Sequence, residues 1–136
     1  MTQATIAGSS PSFLRRALQL DAVATAATAL LAIAAAGPLA DWLGLPAGLL
    51  RGAGIVLVPF VALVAWASLR PHTPIGAVRL IVAANIAWAV ASVVLVVSGW
   101  VAPTTLGVVF VLAQALIVAG FAELQILGLR RVAAAE

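Results

Sequence analysis

Residues 52–69 are 18 consecutive side chains without a formal charge. As a helix that run rises about 27 Å, close to the ~30 Å hydrocarbon thickness of a bilayer. Three more apolar runs occur in the chain, each longer than the roughly 10–14 residues of a buried soluble helix. The 136-residue chain is 65% hydrophobic and 8% charged, whereas a soluble domain carries about 25% charged residues. A water-soluble protein this short leaves too much surface wet to hide so many apolar side chains. Lipid removes that conflict. Transmembrane strands would alternate polar and apolar residues, and these runs do not. The fold class expected is all-α: a four-helix transmembrane bundle.

Helices are expected at about 17–37, 48–69, 76–98 and 104–128, within a membrane domain covering 14–131. Residues 1–13 (MTQATIAGSSPSF) are small and polar and read as a disordered tail, and 132–136 as a second short tail. Nine of the fifteen residues from Ala22 to Ala36 are alanine, so the first helix is suited to packing against other helices. Ala24, Thr28 and Ala32 form a small-residue stripe that permits close approach. Gly37-Pro38 is expected to end that helix. The external connection 38–47 (PLADWLGLPA) places Asp41-Trp42-Leu43 flat in the interface. Pro59 lacks an N–H, so a kink is expected in the second helix opposite the Ile55 carbonyl.

Arg15, Arg16, Arg70, Arg79, Arg130 and Arg131 fall on one side of such a bundle, and Arg51 alone on the other. The positive-inside rule then puts both termini on the cytoplasmic side. Trp42 and Trp100 mark the opposite boundary as an aromatic belt, while Trp66 and Trp88 lie within spans. A competing reading takes Arg15-Arg16, the apolar run and Ala34-Ala35-Ala36 as a cleavable signal peptide. Asp21 at the start of the run, and three following spans, argue against it.

Two tandem helical hairpins are a possible organisation. Arg15 precedes Asp21 by six residues, as Arg79 precedes Asn85, and Thr28 and Ser92 each follow seven later. Coincidence among arginine-capped, alanine-rich helices gives the same pattern.

Few residues can carry chemistry. Asp21, Arg79 and Glu123 form a candidate intramembrane charge cluster, lying by helical rise about 7–8 Å past Arg16, about 7–8 Å past Pro74 and about 10 Å before Arg130. One reading has a carboxylate binding a cation or proton with Arg79 as its tuner; the other has three interface charges that fix helix ends. Asn85, Trp88, Ser92, Gln114 and Gln125 are a candidate polar lining for a cavity, or simple interhelical hydrogen bonds. Trp88 is placed to stack on a ligand or to pack in the core. The chain has no cysteine and one histidine, His72, in the Pro71–Pro74 turn, so no metal site is expected. No phosphate loop, dinucleotide fingerprint or nucleophile–base set occurs. The reading is therefore non-enzymatic, without cofactor or nucleic-acid partner, with membrane lipid as the expected partner and a homodimer or larger complex as a possible assembly.

The stretches GPLADWLGLPAGLLRGAG (37–54), VRLIVAANIAWAVAS (78–92) and AELQILGLRR (122–131) resemble those of a broad group of small, largely uncharacterised bacterial four-helix integral membrane proteins. That resemblance implies an inner-membrane location and supplies no activity. Size and span count are also similar to small multidrug exporters. The chain departs from them in carrying its helix 1 acid near the cytoplasmic end and in having no tyrosine. An accessory, scaffold or hydrophobic-ligand-binding role is the expected function, with a small proton-coupled transporter acting as a dimer as the alternative.

Overall fold

The computed structural model describes residues 2–135, with side chains from Phe13 onward. Five helices follow in order: α1 (Thr2–Ala34), α2 (Ala36–Leu43), α3 (Ala47–Leu69), α4 (Ile75–Ser98) and α5 (Thr105–Ala135). The described residues contain no strand. Four of the helices are long and apolar enough to cross a membrane, the relevant part of α1 being Phe13–Ala34. The chain is an all-α four-helix bundle with one short helix at an end.

Helix boundaries differ from the sequence expectation where packing or local geometry overrides composition. The backbone of α1 is helical from Thr2, through the stretch read as a tail. Within its apolar part, Leu14, Ala17 and Leu18 are buried in the bundle. Leu14 sits against Gly128, where an added Cβ would lie 2.9 Å from the leucine side chain. The carboxyl end of α5 likewise continues through residues 132–135. Alanines there are strong helix formers, so Arg130 and Arg131 do not stop it. At 31 residues, α5 runs about 46 Å, longer than the hydrocarbon it would cross.

The 38–47 connection is not irregular. The chain breaks at Ala35 and restarts as α2, with Gly37-Pro38 inside the new helix. Proline is tolerated in a first turn, where its missing N–H has no helical partner to lose. Gly44 ends α2 at φ 67°, bonding back to the Ala40 carbonyl, a left-handed cap that glycine adopts without penalty. The end of α2 is docked on the start of α5. Thr104 N–H donates to the Leu43 carbonyl at 3.0 Å, and Thr104 Oγ1 donates to the Trp42 carbonyl at 2.7 Å. The same hydroxyl accepts from Gly107 N–H at 3.1 Å, which caps α5. A Cβ on Gly107 would strike the Leu43 carbonyl oxygen.

Helix α1 packs on α3 and α5, and α4 packs on α5, whereas α3 and α4 scarcely touch. The close approach of α1 and α3 centres on Gly54, where a Cβ would meet the Ala29 carbonyl oxygen at 2.9 Å and Ala32 Cβ at 3.0 Å. The small-residue seam is therefore Ala29 and Ala32, both buried. Ala24 and Thr28 of the expected stripe line a cavity on another side. Pro59 lies inside α3, which stays one continuous helix.

Arginines gather at one end. Arg15 Nη2 donates to the Arg70 carbonyl at 2.9 Å. Arg131 lies over the Phe13 ring at 4.2 Å, and Arg70 over Trp66 at 5.3 Å. Trp42 and Trp100 are exposed at the other end. Large apolar side chains midway along the helices face outward, among them Val90 at 58% exposure and Leu116 at 75%. Such a surface suits lipid and not water.

Candidate functional site: a buried carboxylate beside an apolar cavity

Asp21 is completely buried. It points inward from α1 because its neighbours Leu14, Leu18 and Ala17 lie on the face that packs against the bundle. Three groups donate to its carboxyl. Thr25 Oγ1, one turn along α1, donates to Oδ1 at 2.8 Å. From α4, Asn85 Nδ2 donates to Oδ2 at 2.8 Å. From α5, Gln125 Nε2 donates to Oδ2 at 2.7 Å. Asn85 Nδ2 also donates to Gln125 Oε1 at 3.1 Å. Asn85 and Gln125 are both buried, so this node ties three helices together in the interior. In all three contacts the carboxyl oxygens accept. All three donors are neutral.

A second node lies nearer the tryptophan end. Trp88 Nε1 donates to Gln114 Oε1 at 3.1 Å. Gln114 Nε2 donates to Ser92 Oγ at 2.9 Å and to the Val111 carbonyl at 2.8 Å. Ser92 Oγ donates back to the Trp88 carbonyl at 2.8 Å. The five residues expected as a polar lining thus fall into two hydrogen-bonded groups on the α4–α5 seam. Among the described residues, no buried side-chain polar atom lacks a partner.

The charge cluster expected from the sequence is not assembled. Arg79 and Glu123 are exposed, and neither bonds to Asp21. The Asn85–Gln125 bond sets a common level on α4 and α5. Arg79 lies six residues toward the arginine end of that level and Glu123 two residues the other way, which separates them by about 12 Å along the bundle. Counting residues from Arg16, Pro74 and Arg130 put all three at one depth. That count missed the outward direction of two of them. Glu123 borders a shallow outer groove with Gly120, Leu124 and Leu127.

A cavity of about 350 Å³ opens where α3 and α4 diverge, and all four long helices line it. Val56, Leu57 and Phe60 of α3 form one apolar wall, and Ile117, Val118 and Phe121 of α5 another. Thr25, Thr28, Asn85, Trp88 and Gln114 give it a polar side. Trp88 is half-buried here, with its indole N–H held by Gln114. Thr25 was not singled out from the sequence, although its position four residues after Asp21 puts the two on one helix face. Phe60 and Phe121 carried no sequence signal that separates them from ordinary apolar residues.

Comparison with known protein families, with curated proteins and with solved structures finds no match to this chain.

Proposed function

We propose that this multi-pass membrane protein holds a hydrophobic ligand in the cavity between α3 and α4, in a non-enzymatic accessory or scaffold role. One observation carries the reading. The cavity of about 350 Å³ is more than twice the ~150 Å³ that accommodates benzene in an apolar protein interior, and it lies in the size range of small-molecule sites. Its walls are apolar and aromatic with a few convergent polar groups, the usual make-up of a ligand pocket. The weak α3–α4 contact leaves a way in from the side. The arginine distribution supports an orientation with both termini cytoplasmic.

The test is to purify the protein in mild detergent, identify co-purified small molecules by mass spectrometry, and repeat with Ala84→Trp, which fills the cavity from α4. A molecule retained by the native chain and lost from the variant is the expected result. Identical contents in both would refute the reading.

A proton-coupled transporter acting as a dimer is the second reading, favoured by a buried carboxylate, Asp21, with only neutral partners. It requires solute flux driven by a pH gradient in liposomes, lost in Asp21→Asn with Glu123→Gln. Absence of flux from the native chain would remove it.

A further inference from the structure

The hydrogen bonds around the cavity narrow the ligand's chemistry, on the premise that the cavity is a binding site. Five polar side chains face it: Thr25, Thr28, Asn85, Trp88 and Gln114. Every donor they own is already committed. The Thr25 hydroxyl is given to Asp21 and the Thr28 hydroxyl to the Ala24 carbonyl. The Asn85 amide hydrogens go to Asp21 and Gln125. The Trp88 indole N–H goes to Gln114, and the Gln114 amide goes to Ser92 and Val111. Backbone N–H groups of the lining helices are spent within their own helices.

What remains toward the cavity is acceptor capacity alone: the lone pairs of the two threonine oxygens, Asn85 Oδ1, and the second lone pair of Gln114 Oε1. Behind this wall, one hydrogen bond removed through both Thr25 and Asn85, sits the fully buried Asp21 carboxyl. Its three donors are uncharged. Charges in such an interior are screened far less than in water. Trp88 lies on the same wall.

We infer that the cavity takes an organic ammonium ion with an apolar or aryl body, the N–H groups of the ammonium lying at Thr25 and Asn85. A carboxylate or phosphate head would meet only acceptors.

The experiment compares three probes of one body in nanodiscs of zwitterionic lipid: 4-phenylbutylamine, 4-phenylbutyrate and butylbenzene. Equilibrium dialysis measures binding, and nanodiscs carrying Ala84→Trp supply the background from lipid partitioning. The amine should bind about tenfold or more tightly than either other probe, the ratio of a charge-assisted hydrogen bond. Asp21→Asn should lose about that factor for the amine and leave butylbenzene unchanged. Butylbenzene or the carboxylate binding as well as the amine would overturn the inference while leaving the ligand-binding reading intact. So would an amine affinity untouched by Asp21→Asn. No probe exceeding the Ala84→Trp background would overturn both. Should Asp21→Asn fail to assemble, the ranking of the three probes on the native chain decides.

Discussion

Replacing Gln125 by leucine keeps its approximate shape and removes two interior hydrogen bonds. Gln125 Nε2 no longer donates to Asp21 at 2.7 Å, and Gln125 Oε1 no longer accepts from Asn85 at 3.1 Å. A bond to a charged group contributes about 1.5–3 kcal/mol net and a neutral one about 0.5–1.5. Interhelical bonds measured in a membrane protein average about 0.6 and reach about 1.7 kcal/mol. The membrane figures set the lower side, because the unfolded helices also find partners in lipid. A loss of about 1–3 kcal/mol is expected, or about 5- to 150-fold in the unfolding equilibrium. Reversible unfolding in mixed micelles, followed by circular dichroism, measures it. The reasoning is tested more sharply by a cycle. In an Asp21→Leu background the carboxylate is gone, so Gln125→Leu should cost less by about 1 kcal/mol or more, since removing both partners of a buried bond leaves less unsatisfied. Costs equal in both backgrounds within about 0.5 kcal/mol, the limit of ordinary additivity, would refute the claim that the two side chains interact.

Two glycines of α3 should respond oppositely to alanine. Gly54→Ala pushes a Cβ to 2.9 Å from the Ala29 carbonyl oxygen and should destabilise by about 1–3 kcal/mol, whereas Gly52→Ala meets nothing within 4 Å and should stabilise by about 0.5–1 kcal/mol, both read from the same unfolding assay. Thr104→Ala removes the α5 cap and the bond to the Trp42 carbonyl, for an expected loss of about 1 kcal/mol and faster amide exchange at Gly107 and along α2.

The spans were legible because charge-free apolar length answers to one requirement, hydrocarbon thickness. The matched spacings on the first and third spans were read as a sign of tandem hairpins, and the residues they match are polar in the bundle. Asp21 and Asn85, matched by their spacing from Arg15 and Arg79, meet at 2.8 Å. Thr28 and Ser92, the next matched pair, both bond back to the carbonyl four residues earlier. The polar residues of α4 and α5 were read as a possible lining, and Asn85, Trp88 and Gln114 do line the cavity. The partner of Asp21 was not legible. Charge complementarity pointed to Arg79, but which way a residue faces depends on helix rotation, and outside lipid is as apolar as the packed interior. A helix that is apolar all round has no moment to reveal its inner face. Helix α2 was missed for a related reason: Gly37-Pro38 reads as a stop, and only the docking of Leu43 on Thr104 shows that it starts a new turn.

In a bilayer the outward-facing apolar side chains lie in lipid while Asp21 and its partners lie within. The chain has no cysteine, so single cysteines at Val90 and Leu116 in intact membranes report this directly through a membrane-impermeant thiol reagent. Both should resist labelling until the membrane is dissolved, while cysteines at His72 and Trp100 should be labelled from opposite sides. Ready labelling at Val90 and Leu116 in sealed vesicles, or labelling of His72 and Trp100 from the same side, would contradict it.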